Sequence, residues 1–252
     1  MTTPAHASVA RRPIADPVRC GAEPCWSCEA RPHSVCHAIE VRDLERLAAI
    51  AVVTHVAPGK TFIGEGDTAD AFWNVTAGAA RLYKLLPDGR RQITGFARAG
   101  DFLGLAVSAA YAFSAEAIDR LTLCRFTRRN LRALLDDFPA MEKSLLDVAS
   151  NELVAAQEQM LLLGRKTARE RVASFLLAQA SRTAGTADRI DLPMGRGDIA
   201  DYLGLTIETV SRTFSRLRTD RIVALPDIRT AVILDRKRLA ETAEGFEADP
   251  AG

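Results

Sequence analysis

What this sequence of 252 residues most plainly lacks is a long apolar run: nothing approaches the ~20 consecutive apolar residues that a membrane-spanning helix requires. No apolar core follows the N-terminal arginines, so no secretory signal is expected, no membrane partner is implied, and the expected compartment is the cytoplasm. A glycine-rich phosphate loop and a nucleophile paired with a base are also missing, which argues against an enzyme. Nor is there excess charge, with 33 Lys and Arg against 32 Asp and Glu for a net +1. That balance hides an asymmetry. Arg165, Lys166, Arg169 and Arg171 face only Glu170 in their short stretch, so the C-terminal third is locally basic and the rest compensates. With 48% apolar and 26% charged residues the composition is globular, and the length allows two domains with a core each.

The strongest pattern present is GRGDIADYLGLTIETVSRTFSRL, Gly195 to Leu217, which reads as two short helices joined by a tight turn. Gly204 supplies the residue able to take positive φ at the bend. Ala200 is small enough for close helix contact, and Leu203, Leu205 and Val210 hold the helices at an angle. Thr206 is placed as N-cap, its hydroxyl accepting from the amide of Glu208 or Thr209, so the second helix starts near Ile207. Glu208, Ser211 and Arg212 then share one exposed face at three- and four-residue spacing. A helix-turn-helix protein presents such a face to base edges in the major groove. Arg212 can donate twice to guanine and Glu208 can accept from cytosine N4, each pairing giving about 1–3 kcal/mol of discrimination. Arg216 and Arg218 suit phosphates better than bases.

Four of the five cysteines crowd into CGAEPCWSCEARPHSVC: Cys20, Cys25, Cys28 and Cys36, with Cys124 far downstream. In a reducing cytosol that spacing reads as metal or redox chemistry rather than disulfides. Cys25 and Cys28 can wrap one metal centre and the longer loop can bring Cys36 to another edge. Spacing alone leaves zinc and an iron–sulfur cluster both open. Haem attachment is disfavoured because Glu29, not His, follows Cys28. His33 and His37 are four apart and read better as solvated or capping groups than as ligands.

In chain order, residues 1–19 read as a flexible lead and 20–38 as the cysteine segment. A domain read as a β-sandwich or barrel follows over 39–137. It opens with an amphipathic helix from Val41 to Ile50, then short β-prone runs to about Phe126, broken near every tenth residue by turns such as Pro87-Asp88-Gly89 and Gly100-Asp101. Cys124 falls in its last strand. A long helix is expected over 138–164, with Leu146, Ala149, Leu153, Ala156, Met160 and Leu163 forming a coiled-coil-like seam for a homodimer. Residues 165–247 form the DNA-binding domain: a helix from Thr167 to Ser181, a polar loop to Asp188, a short strand from Ile190 to Leu192, the helix-turn-helix, and a hairpin wing turning at Pro226-Asp227. The tail from Ala248 is expected to fray.

With those parts assembled, the chain resembles the CRP/FNR family of bacterial transcription regulators, and within it the oxygen-responsive FNR branch. The segments DIADYLGLTIETVSR, MLLLGRKTARERVASFL and CWSCEARPHSVC carry the resemblance. It implies an α+β fold: an N-terminal β-roll, cyclic-nucleotide-binding-like sensor domain, a long dimerisation helix and a C-terminal winged helix-turn-helix. It implies a [4Fe–4S] cluster on Cys25, Cys28, Cys36 and Cys124, with Cys20 as spare or substitute. It also implies a double-stranded DNA palindrome of the TTGAT-N4-ATCAA kind, contacted by Glu208, Ser211 and Arg212 with Thr206, Thr209 and Arg216 beside them, and RNA polymerase as partner. Acidic charge at Glu152 or Glu158, beside the seam, is the kind that repels the partner helix. Cyclic-nucleotide-binding members carry Gly-Glu and Arg-Ser/Thr pairs around the phosphate. Here Leu105 follows Gly104 and Phe113 precedes Ser114, so no cyclic nucleotide is expected. The rival readings are a sister regulator using zinc or thiol redox chemistry and, more remotely, an iron–sulfur electron carrier.

Overall fold

The computed structural model describes residues 18–19, 23–105, 109–182 and 188–246. Cys20, most of the expected lead, residues 183–187 of the polar loop and the tail from Ala248 lie outside the described residues. One part of the lead departs from expectation. Val18–Arg19 forms β1, pairing antiparallel with Val52 and Val53 of the next strand, whose backbone groups would otherwise be an open sheet edge.

Helix α1 (Glu23–Trp26) opens the cysteine segment, and two 3-10 turns, Arg31–His33 and Val35–Ala38, carry it onward. Helix α2 (Leu44–Ile50) follows a 3-10 turn at Val41–Asp43. Eight strands come next: β2 (Ala51–Val56), β3 (Thr61–Ile63), β4 (Ala71–Ala77), β5 (Ala79–Leu85), β6 (Arg91–Arg98), β7 (Phe102–Leu103), β8 (Ser114–Ala117) and β9 (Leu121–Thr127). They close into two facing sheets, ordered β1-β2-β9-β4-β7 and β3-β8-β5-β6. Alternation along the strands decides what lies inside. Trp73, Val75, Leu121 and Leu123 point between the sheets with Phe62, Ile63 and Tyr111. Phe72, Cys124 and Phe126 point the other way, into a second core shared with α2, α3 (Arg128–Asp137), the cysteine segment and the first turns of α4 (Pro139–Arg165).

The C-terminal unit comprises α5 (Ala168–Ser181), β10 (Arg189–Asp191), α6 (Arg196–Leu203), α7 (Ile207–Thr219), β11 (Val223–Asp227), β12 (Thr230–Ile233) and α8 (Arg236–Glu244). A capping box fixes the start of α5: Glu170 N donates to the Thr167 hydroxyl while Thr167 N donates to the Glu170 carboxylate. The wing differs from the sequence reading. Asp227 still pairs with Thr230, so the hairpin turns at Ile228 and Arg229, not at Pro226-Asp227. The cause is an Asx-type turn, in which Arg229 N donates to Asp227 Oδ1 at 2.7 Å. The core of this unit is continuous with Tyr83, Ile93 and Phe96 on the outer face of the four-stranded sheet. Val172, Phe175, Leu176 and Gln179 are buried on α5, as the sequence pattern indicates, together with Ala173 and Ala180.

Candidate nucleic-acid interface and cysteine site

Gly204 takes φ +62°, closing α6 with a left-handed cap that a side chain would strain. Thr206 then caps α7, its hydroxyl accepting from Thr209 N at 3.2 Å. Val210, Phe214 and Leu217 are buried, which turns Glu208, Ser211 and Arg212 outward to solvent on one face. Thr209 and Arg216 flank that face and are half-buried. The Glu208 carboxyl is held below its ordinary range by its own backbone amide, by the Thr206 hydroxyl and by Arg212 one turn on. The face therefore presents a fixed acceptor beside a cationic donor. Arg196 covers the inner end of the motif, its guanidinium 3.5 Å from the Phe214 ring centroid.

In the basic stretch after Gly164, Arg165 is exposed, but Lys166, Arg169 and Arg171 are engaged internally. Lys166 donates to Ser174 Oγ at 3.0 Å and to Ala243 O at 2.8 Å, and Arg169 pairs with Asp220 at 2.8 Å. Arg171 donates to Lys166 O, Leu203 O and Leu163 O, stapling the end of α4 to the turn of the helix-turn-helix. Local charge counting missed this because main-chain carbonyls are invisible to it.

Along α4, Leu146, Ala149, Leu153, Ala156 and Met160 form an exposed stripe, with Leu146, Leu153 and Met160 each more than 60% exposed. Leu163 does not belong to it. That side chain is partly buried against the C-terminal core, because α4 is already docking onto α6 at its last turn. The opposite face of α4 buries Met141 and Leu145 against the cysteine segment.

That segment folds over the helical face of the five-stranded sheet. Arg31 donates to Ile39 O at 2.6 Å, and the Ser34 hydroxyl accepts from Cys36 N at 3.3 Å, so the loop closes on itself and buries Cys36. Cys25, Cys36 and the half-buried Cys124 belong to one apolar cluster. Burial pushes the Cys36 thiol up to about 11, with Cys25 and Cys28 close enough to add to the shift and Ser34 and Arg31 opposing it. His37 Nδ1 donates to Ser34 O at 2.7 Å, a loop-closing bond rather than a ligand geometry. Asn74 reaches the cluster from the sheet: its amide donates to Cys36 Sγ at 3.9 Å, its Oδ1 is buried without a partner, and it stands directly opposite Cys124. Among the described residues no three His, Cys, Asp or Glu side chains are arranged to hold a metal ion. The donors present are nonetheless of the kind a sulfur-ligated centre uses: Cys25, Cys36 and Cys124 share one apolar cluster, Cys25 and Cys28 act on Cys36, and a thiolate in such surroundings needs a cation to exist.

Sequence reasoning placed Glu208, Ser211 and Arg212 on one exposed face of α7 and read the cysteine spacing, but missed how the two units join. Arg81 donates to Asp198 at 3.0 Å and pairs with Glu116; Arg91 reaches Asp198 at 2.9 Å and Asp201 at 2.8 Å. Gln92 donates to Asp201 O at 2.8 Å, and Phe96 packs on Phe175 and Tyr202. Arg81 on β5 and Arg91 on β6 are the signal in the sequence, and solvated strand charges look the same.

A β-roll joined by one long helix to a winged helix-turn-helix with an outward recognition face defines a DNA-binding regulator of transcription. Residues 53–138 match the cyclic nucleotide-binding domain family and residues 170–242 match the Crp-like helix-turn-helix domain family. The chain is 45% identical to the transcriptional activatory protein AadR of Rhodopseudomonas palustris, across 84% of this chain and 89% of that one. It is 38% identical to the transcriptional activator protein FnrL of Cereibacter sphaeroides, across 89% and 93%. The solved structure of FixK2 from Bradyrhizobium japonicum superposes with a TM-score of 0.72 at 39% identity, covering 80% of this chain and all of that one. The chain belongs to the CRP/FNR family of transcription regulators. These matches are to regulators, not enzymes, and no described helix is long and apolar enough to cross a membrane.

Proposed function

We propose that the chain is an oxygen-responsive regulator in which Cys25, Cys28, Cys36 and Cys124 hold a [4Fe–4S] cluster. In this reading a homodimer binds a palindrome of the TTGAT-N4-ATCAA kind and engages RNA polymerase there. The carrying observation is Asn74, buried between Cys36 and Cys124 and bonded to the first while paired opposite the second. When bound, the cluster supplies oxygen-reactive iron held by thiolates.

The residues around it do the rest. Cys36 tethers its 3-10 turn, and through Ile39 and Val35 that turn packs on Met141 and Leu145, setting the lie of α4. The outer stripe from Leu146 to Met160 then meets its copy, each leucine or methionine contributing roughly 1.5–3 kcal/mol on full burial. Dimerisation spaces two α7 helices about one DNA turn, ~34 Å, apart. Each α7 offers Glu208, Ser211 and Arg212 to base edges, with Thr206, Thr209 and Arg216 alongside. No cyclic nucleotide is needed: Trp73 and Tyr111 fill the space between the sheets, the Tyr111 hydroxyl donating to Ala71 O at 2.7 Å. The resemblance to FnrL, a transcriptional activator by name, supports the same branch.

An absorption spectrum with iron and sulfide analysis, on protein purified without oxygen and then exposed to air, tests this. A broad visible band, about four irons per chain and bleaching in air are expected. A colourless zinc protein would retain the DNA-binding role and discard the oxygen mechanism.

A further inference from the structure

The turn between β6 and β7 touches both the cysteine segment and the DNA-binding unit. Gly100, at φ +100°, lies so close to the first that an added Cβ would stand 2.8 Å from His33 O, within the loop that separates Cys28 from Cys36. Phe102, two residues on, is buried in the cysteine cluster, stacked on Phe72 at 5.7 Å and on Phe126 at 6.4 Å. The other side of the turn faces the C-terminal unit. Arg98 Nη2 donates to Gln179 Oε1 at 2.8 Å and to Asp191 O at 2.7 Å, gripping α5 and β10 together. The Asp101 carboxylate accepts from Arg98 N at 2.8 Å and pairs with Arg182 at the end of α5.

The turn is stiff as well as central. Gly100 N donates to Val75 O and Val75 N donates to Asp101 O, both at 2.9 Å. Val75 adjoins Asn74, the residue bonded to Cys36. A displacement of the cysteine loop therefore meets backbone at Gly100 and cannot be absorbed by a flexible side chain.

We propose that the segment from Arg98 to Phe102 is the joint through which the cysteine site sets the orientation of the helix-turn-helix unit within one protomer, with Arg98 and Asp101 as its positioning residues. This route is separate from the α4 stripe, which acts between protomers. It rests on the proposed cysteine site for the natural stimulus only, since any change in the loop would travel the same way.

The test uses the full chain, metal-free and reduced, before and after alkylation with iodoacetamide, and reads amide hydrogen exchange. In the native chain alkylation is expected to raise exchange at residues 175–182 and 189–191, with residues 61–63 and 114–117 as an unchanged reference. In R98M the loop at residues 31–39 should still respond while α5 and β10 no longer do. D101N gives the same outcome from the other anchor and serves if R98M does not fold. A native chain whose α5 and β10 ignore alkylation, or variants in which they respond fully, overturns the joint. A second readout is the ratio of affinities for the palindromic duplex before and after air exposure of iron-loaded protein. R98M should lower that ratio about 2- to 30-fold at unchanged iron content. If the native chain takes up no iron or shows no such ratio, the cluster reading fails, and the exchange result still decides the joint.

Discussion

Asn74 and Cys36 come from opposite ends of the sensor's architecture, one from the middle of a sheet and one from a loop laid over it, and meet at 3.9 Å between the amide nitrogen and the sulfur. Asn74 is 1% exposed with Oδ1 lacking a partner, so its side chain adds little to the fold, and under the proposed cluster its polarity serves the sulfur site. A thiol is only a weak acceptor, so Cys36 loses little when its amide donor is replaced by an apolar side chain of similar shape. Asn74→Leu should therefore change stability to chemical denaturation by less than about 1 kcal/mol. Iron-loaded protein carrying it should bleach faster in air, as followed by visible absorption.

The recognition face predicts a base-specific loss. Arg212→Ala should cost about 1–3 kcal/mol on the preferred duplex and relax selection at one base pair. Equal weakening on all sequences, measured by competition binding at fixed salt, would make Arg212 a phosphate contact instead.

Glu208 gives a pH prediction. Its folded pKa is depressed, by its own amide first, then Thr206 and Arg212, so the charged form is present above its ordinary range and lost only as pH falls through the lower folded value. Discrimination at the base read by Glu208 should stay flat from about pH 8 down to about pH 5, a window above the usual glutamate range. Glu208→Gln should show weaker discrimination across that whole window, with no pH dependence of its own.

Leu153, 61% exposed at the middle of the α4 stripe, predicts the oligomeric state. Leu153→Glu places a charge where a second copy would pack. The variant should sediment as a monomer at concentrations where the parent is a dimer, with unchanged helix content by circular dichroism. A variant that remains dimeric would remove the stripe from the interface.

Asp198 holds two arginines from the sensor sheet and is only 8% exposed. Asp198→Ala leaves Arg81 and Arg91 partly buried without that acceptor, and breaking such a pair costs about 3–5 kcal/mol when fully buried. Arg81 keeps Glu116 and Arg91 keeps Asp201, so a loss of about 2 kcal/mol in denaturant unfolding is expected here. The loss should fall mainly on the contact between the two units. Limited proteolysis would then release the C-terminal unit sooner.

The sequence by itself determined the parts whose causes are local. Gly204 at a bend, Thr206 before Ile207 and the buried period of Val210, Phe214 and Leu217 make the recognition helix wherever it is placed, because caps and periodicity act within a few residues. Clustering of Cys25, Cys28 and Cys36 was equally legible. Only the tertiary structure decided that Lys166, Arg169 and Arg171 are spent on internal carbonyls and carboxylates, that Leu163 leaves the exposed stripe, and that Asn74, Gly100 and Arg98 connect the cysteine site to the DNA-binding unit. Those facts depend on pairs far apart in the chain, brought together by strand register and by α4 docking onto α6. No spacing rule encodes which distant carbonyl or carboxylate a given arginine will meet.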